Sequence, residues 1–168
     1  MLETLTDIGA WLNSTDLHFW ARDTLRGNNW VSPLIQSIHI VSVAAVIGAI
    51  GVIDLRILGL AARSQAPSEM ASRLLPWLWT ALVLLALTGF MLILNRPPRY
   101  LDNAAFLAKM LMLATAVILT LLLSRGLRRG DDYWFATPAR LAAGRTLAGA
   151  SVALWVGVIL AGRWIAYV

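Results

Sequence analysis

Long apolar runs and short polar connections alternate along the chain, and this pattern predicts its architecture. Each run is long enough to cross about 30 Å of hydrocarbon, which takes about 20 helical residues. Because lipid offers no partners to the backbone, each run is predicted to be a helix. With short connections between them, the runs predict an all-α integral membrane protein, an up-and-down four-helix bundle within residues 31–168. The four predicted spans are 32–55, 74–94, 104–124 and 139–166.

The first 30 residues have helical periodicity but no run long enough to span a membrane. Apolar residues recur every three or four positions in two segments, the second beginning near the N-cap Asp16 and ending at Gly27. Both segments are predicted to be amphipathic helices on the membrane surface. Their apolar positions are Leu5, Ile8, Trp11 and Leu12, then Leu17, Trp20, Ala21 and Leu25.

Proline, cap and aromatic residues set the predicted ends of the spans. The first span opens at Ser32-Pro33 and the last at Thr137-Pro138, each a cap followed by proline at the first helical position. Pro76 is predicted to lie in the first turn of the second span, which residues 95–100 end. Asp102 and Asn103 are the predicted caps of the third span, and an interfacial aromatic trio is predicted before the fourth: Tyr133, Trp134 and Phe135.

Composition supports the membrane assignment and removes several function classes. The chain is 59% hydrophobic and 14% charged, with a mean hydropathy of +0.71, whereas soluble domains are about 25% charged. The absence of cysteine excludes disulfides, iron–sulfur clusters and thiolate chemistry.

The net charge of +5 predicts membrane topology rather than nucleic-acid binding, because the arginines lie between the apolar runs. More arginines lie on one side of the predicted membrane than on the other, so the positive-inside rule places both termini in the periplasm. The predicted cytoplasmic set is Arg56, Arg63, Arg73, Arg125, Arg128, Arg129, Arg140 and Arg145, and the opposite set is Arg22, Arg26, Arg96, Arg99 and Arg163.

Few polar side chains lie within the predicted spans, and each requires a partner or a function. His39 and Lys109 each lie six residues into parallel spans, about 9 Å from the same membrane face. Gln36 lies one turn above His39 on the same helix face. The sequence therefore predicts that His39 and Lys109 form one site.

Two chemistries fit this pair. Neutral imidazole is a common axial ligand of haem iron, so His39 could hold a b-type haem, with Lys109, a methionine or His18 as the second ligand. Alternatively, His39 and Lys109 could hydrogen-bond quinone carbonyls or relay a proton. The candidate methionines are Met91, Met110 and Met112, and the arginines available to haem propionates are Arg22, Arg26, Arg96 and Arg99.

Structural roles compete with each of these assignments. His39 could bond between helices, Lys109 could extend to the interface, and Gln36 could make a structural hydrogen bond. His18, beside two aromatic residues, is predicted to be interfacial. Asp54 is predicted to pair with a loop arginine, Arg73 or Arg145, and a proton or cation site there is the alternative.

A stripe of small residues on the last span provides a packing surface. The residues recur every four positions, so another helix can approach closely along them, either inside the monomer, which we expect, or in a homodimer. The stripe consists of Gly149, Ala153, Gly157 and Ala161.

The segment around His39, with Gly48 and the stretch 54–59, resembles a group of small bacterial four-helix membrane proteins. More distantly, it is similar to the copper-resistance protein D superfamily and to the membrane protoporphyrinogen oxidase of haem synthesis. Those relatives pair a histidine on an early helix with a lysine on a later one. The resemblance covers most of the chain from Trp30 onward, and it implies that His39 and Lys109 are that pair and that haem b is the cofactor.

Three hypotheses follow. The first is a bacterial inner-membrane protein that binds one b-type haem through His39 and transfers electrons, alone or as an accessory subunit of a membrane redox complex. The second is a non-catalytic assembly subunit that docks through the small-residue stripe of the last span. A transporter is a third hypothesis. A transporter is expected to have polar residues near mid-membrane, whereas the candidates in this chain lie toward the two faces.

Overall fold

A computed structural model of the chain describes residues 2–61, 65–101, 103–130 and 133–164. Within these residues the fold is entirely α-helical, and four of its helices are long and apolar enough to cross a membrane. The predicted all-α membrane bundle is confirmed. The helices are α1 (Leu2–Asn13), α2 (Asp16–Gly27), α3 (Val31–Leu58), α4 (Pro67–Asn95), α5 (Pro97–Leu101), α6 (Ala104–Arg128) and α7 (Pro138–Trp164).

The four long helices form a ring in which α3 and α6 occupy diagonal corners. Helix α3 packs against α4 and α7, and α6 packs closely against α7 but touches α4 over few residues. We call the end of the bundle that carries α1, α2 and α5 the N-terminal face, and the other end the opposite face. A buried apolar cluster lies toward the opposite face, between Val46 and Ile57 of α3 and between Met70 and Ala81 of α4, with parts of α6 and α7.

The long helices extend beyond the predicted spans. Helix α4 begins at Pro67 rather than at Leu74, so Pro76 lies inside the helix and not in its first turn. The extension is stabilised by burial of Met70 and Ala71 against the core, which offsets the missing amide hydrogen of Pro76. The predicted last residues of the fourth span, 165 and 166, lie outside the described residues, as do Asp102 and Arg63.

Side-chain caps fix several helix ends. The Asn103 side chain accepts from the Ala105 amide at 2.8 Å, and the Thr137 hydroxyl accepts from the Arg140 amide at 3.2 Å. The cap of α2 is Thr15 rather than Asp16, which is the first helical residue. Helix α3 ends at Leu58 and is capped by Gly59, whose φ of 78° suits a residue without a Cβ.

The N-terminal helices dock onto the end of the bundle. Helix α1 packs against α5, a short helix within the predicted break at 95–100, and a Cβ on Gly9 would lie 3.6 Å from Leu101. Helix α2 packs against α4 and α3, and buries Ala21 and Leu25 while Trp20 stays exposed. The predicted surface helices therefore also cover one end of the spans.

Trp134 closes the opposite face. It was predicted to be interfacial, but its side chain is only 8% exposed. The indole lies directly against Gly126 of α6 and beside Gly144 of α7, and its N–H donates to the Leu123 carbonyl at 3.3 Å. The polar N–H can be buried because it has this acceptor, so the aromatic ring fills space between α6 and α7.

Replacing Gly126 by alanine should destabilise the bundle, because a Cβ at Gly126 would overlap the Trp134 indole. Overpacking of this kind costs about 1–3 kcal/mol. Thermal unfolding in detergent should show a lower midpoint for Gly126→Ala. The control is Gly48→Ala, where a Cβ meets nothing within 4 Å, and its midpoint should not fall. Equal midpoints for Gly126→Ala and wild type would contradict the packing of Trp134.

Candidate functional site at the N-terminal face

His39 lies on the stripe of α3 that continues into the buried Ser42 and Val46. Its Nδ1 is 2.8 Å from the Thr88 Oγ1, and the Thr88 hydroxyl donates to the Leu84 carbonyl at 2.6 Å. A hydroxyl has a single proton, and Thr88 donates it to the Leu84 carbonyl. The Thr88 oxygen therefore accepts from the His39 Nδ1–H. This arrangement selects the tautomer whose Nε2 has a free lone pair.

Gly89 allows the His39 ring to approach α4 closely. A Cβ placed on Gly89 would lie 3.4 Å from the ring Cε1 and 3.9 Å from Nδ1. A larger side chain would press against the ring and displace it from Thr88. The Thr88-Gly89 pair therefore fixes both the position and the tautomer of the imidazole.

Lys109 is partly buried on α6, and its terminal amine packs on α7. A Cβ placed on Gly162 would lie 3.4 Å from the Lys109 Nζ. The lysine is close enough to His39 to act on it electrostatically. The structure thus brings His39 and Lys109 together across the diagonal of the bundle, where α4 and α6 are sparsely packed.

The prediction that His18 is interfacial is wrong, since its side chain is buried within the protein and only 4% exposed. Its Nδ1 is 2.7 Å from the Leu94 carbonyl, and because a carbonyl only accepts, Nδ1–H is the donor. Leu94 is in the last turn of α4, where carbonyls lack helical partners. Thr88 and Leu94, which hold the two histidines, are six residues apart, about 9 Å along α4. The structure does not place His18 opposite His39.

The other predicted ligands lie around His39 without bonding to it. Gln36 is exposed and donates to the Ser32 hydroxyl at 3.4 Å. Met91 is partly buried one turn from Thr88, and Met110 is partly buried beside Lys109. Met112 packs on α7, with its sulfur 3.0 Å from where a Cβ on Gly157 would lie.

Three arginines line an open pocket of about 420 Å³ above His39 at the N-terminal face. Arg26 is held there by its Nε, which donates to the Asn95 side chain at 3.1 Å. Arg22 lies elsewhere, on a neighbouring surface with Asp23. None of the described residues that line the pocket is acidic, so the pocket suits an anionic group. Its lining is Arg26, Ser32, Gln36, Leu92, Asn95, Arg96, Arg99 and Tyr100.

Asp54 does not form the predicted ion pair. Its side chain is 1% exposed and its Oδ2 has no hydrogen-bond partner among the described residues. Arg73 and Arg145 are exposed instead. The aqueous phase solvates these arginines near the helix ends, while the Asp54 carboxyl points into the core.

The sequence predicts that the small-residue stripe of α7 packs inside the monomer. Only part of the stripe does so. Gly149 and Ala153 are exposed, and a Cβ on Gly149 would meet nothing within 4 Å. Gly157 and Ala161 are partly buried, and Gly157 packs on Met112. The buried face of α7 runs instead along Gly144, Ala148, Ser151, Trp155 and Val158.

Sequence reasoning missed the residues that hold the site together. Thr88, Gly89 and Gly162 stand in apolar stretches and bear no motif. One indication was available, because a threonine followed by glycine within the apolar run of α4 offers both a hydrogen bond and a close approach.

Taken together, the helices and the paired histidine and lysine define a multi-pass membrane helical bundle with a polar site near one face. Within the described residues, no group of three or more histidine or acidic side chains could hold a bare metal ion. The chain belongs to DUF6644, a family of unknown function whose sequence model matches residues 17–168. No curated protein and no solved structure matches the chain.

Replacing His18 by alanine should loosen the attachment of α2 to α4, because it removes the bond to Leu94 and leaves a cavity. Losing a buried hydrogen-bonding partner costs about 1–3 kcal/mol. Thermal unfolding should show a lower midpoint, and proteolysis in the connection after Gly27 should be faster. The control is Phe19→Ala, since Phe19 is 52% exposed. If both variants behave alike, the bond to Leu94 contributes nothing specific.

Proposed function

We propose that the protein binds one b-type haem near its N-terminal face, with His39 as an axial ligand, and transfers electrons within the membrane. The observation that carries the proposal is the bond from His39 Nδ1 to Thr88, which leaves Nε2 free. Histidines that bind metals typically donate their second ring N–H to a neighbouring acceptor in this way. The site is poised for ligation before any ligand arrives.

Other features of the site fit the same cofactor. The sparse contact between α4 and α6 suits a flat, largely apolar ring, and Gly89 supports the imidazole without filling the adjacent space. The pocket that contains Arg26, Arg96 and Arg99 lies one turn above His39 and suits two carboxylates. Lys109 and Met91 are the candidates for the second axial position. His18 is not, because it is held at Leu94, six residues along α4 from the Thr88 that holds His39.

A bound haem would supply a one-electron carrier. The protein's own residues then have separate roles: Thr88 orients the imidazole, the arginines bind carboxylates, and the apolar helices exclude water. We further propose the inner membrane of a bacterium as the location, with both termini in the periplasm, because the opposite face carries more arginines. Quinone, whose carbonyls could accept from Lys109, is the electron partner that this chemistry favours.

Replacing His39 by alanine should abolish haem binding, because the axial ligand is lost. Purified protein would be titrated with haem in detergent, and the Soret absorbance would measure binding. His18→Ala is the matched control and should keep the Soret band even if it is less stable. Absence of a Soret band in the wild type, or an unchanged band in His39→Ala, would overturn the proposal.

Substitutions of Thr88 distinguish an effect on haem ligation from a general effect on packing. Thr88→Val keeps the shape but removes the acceptor of the His39 Nδ1–H, so haem affinity should fall about 10–100-fold. Thr88→Ser restores the hydroxyl and should recover the affinity. If Thr88→Val and Thr88→Ser bind haem equally well, the hydrogen bond does not position the ligand.

A structural role as an assembly subunit is the second candidate, and the exposure of Gly149 and Ala153 favours it. Small residues on a lipid-facing surface allow another helix to approach closely. In this case the partner is a second copy or another membrane subunit.

Gly149→Leu and Ala153→Leu test the assembly role, because either side chain would keep a partner helix at a distance. Chemical crosslinking in native membranes should show loss of a complex in both variants. Ala150→Leu, also exposed but off the stripe, should leave the complex intact. An unchanged crosslinking pattern in the stripe variants would exclude docking through this surface.

A further inference from the structure

Most hydroxyl groups on the long helices are satisfied by their own helix. Each donates to the carbonyl four residues earlier, at 2.6–3.0 Å. This is the expected solution in hydrocarbon, where no water is available. The donors are Ser37, Ser42, Thr80, Thr88, Thr115, Thr120, Ser124 and Thr146.

Three polar atoms in the core depart from this pattern. Among the described residues, Asp54 Oδ2, Ser151 Oγ and Trp155 Nε1 are buried without a hydrogen-bond partner. The three side chains are 1%, 0% and 4% exposed, respectively. Each unsatisfied polar atom in such a place costs about 1–3 kcal/mol, so three of them require an explanation.

The three side chains belong to one region of the interface between α3 and α7. Ser151 and Trp155 are four residues apart and therefore lie on the same face of α7. The contact of Ile57 with Gly144 sets the register of the two antiparallel helices and places Asp54 within about one turn of Ser151 along the helix axis. The Ser151 hydroxyl acts on the Asp54 carboxyl, although the two lie outside hydrogen-bond geometry.

The charged groups of the described residues around Asp54 do not neutralise it. On its own helix, Arg56 donates to the Gln65 carbonyl at 3.3 Å and lies over the Phe135 ring. On the helices packed around it, Arg73 of α4, Arg125 of α6 and Arg145 of α7 are exposed. A buried carboxylate without a cation is very costly. Binding a proton removes that charge.

We propose that Asp54, Ser151 and Trp155 form a membrane-embedded proton-binding site, in which the Asp54 carboxyl exchanges one proton with the aqueous phase at the opposite face. A water bound there would find a donor in the Trp155 N–H and further partners in Ser151 and Asp54. Uptake transfers a proton from hydronium to the carboxylate, forms one O–H bond and releases one water. Asp54 lies four residues from the end of α3, about 6 Å from that face.

The same atoms argue against a metal cation. Cations such as Ca²⁺ take about 6–8 oxygen ligands, whereas this cluster offers one carboxylate and one hydroxyl. The Trp155 N–H only donates and would repel a cation. The mixture of one donor, one acceptor and one hydroxyl matches water and a proton.

Infrared difference spectroscopy on the full chain in phosphatidylcholine liposomes tests the site. Wild type should show the C=O band of a protonated buried carboxyl that disappears on raising the pH, and Asp54→Asn should lack it. Ser151→Ala should shift the frequency of that band, because the neighbouring hydroxyl is gone. Ser124→Ala is the matched control and should leave the band unchanged, since the buried Ser124 hydroxyl bonds to the Thr120 carbonyl at 2.6 Å.

Three results would overturn the proposal. The first is a wild type without a protonated carboxyl band at any pH at which it stays folded. The second is a band that persists in Asp54→Asn. The third is a band that is lost when Na⁺ replaces choline at constant pH, because that would make the cluster a cation site. If Asp54→Asn fails to fold, an identical band frequency in wild type and Ser151→Ala is decisive against the site.

Discussion

The structure depends on one constraint: hydrocarbon offers no hydrogen bonds, so every polar group within the spans needs a partner inside the protein. The backbone meets the constraint by forming helices, and most hydroxyls meet it by bonding to the carbonyl one turn earlier, as Thr120 and Ser124 do. Side chains that cannot bond to their own turn therefore stand out. His39 finds its partner on a neighbouring helix, while Asp54 Oδ2 finds none in the part of the chain that the structure describes.

The two polar centres differ in the space around them, and this difference limits what each can bind. His39 and Lys109 lie on diagonally opposite helices of a bundle in which α4 touches α6 over few residues, beneath a pocket of about 420 Å³. A large planar ligand fits such a place. Asp54 is 1% exposed and lies beside the buried apolar cluster toward the opposite face, and protein interiors leave few voids larger than a water molecule. Only a proton and water suit that position.

The sequence predicted the all-α bundle because long apolar runs have few structural solutions in lipid. It also singled out His39 and Lys109, since charged or titratable residues in apolar runs are conspicuous. It could not predict Thr88, Gly89 or Gly162, because their roles depend on which helices are neighbours. For the same reason the prediction that Trp134 and His18 are interfacial is wrong. An aromatic residue or a histidine beside a span can lie at the membrane interface or be buried against another helix, and the sequence does not distinguish the two positions. The exposure of Gly149 likewise follows from the rotation of α7, which small-residue spacing does not determine.

Helix α7 links the two centres mechanically. It contacts Lys109 through Gly162 and Met112 through Gly157, and it contacts Ile57 and Trp134 through Gly144. Ser151 and Trp155 lie between these points on its buried face. Helices of this length behave as rigid elements, so a shift of α7 that alters the approach to Lys109 also moves Ser151 relative to Asp54.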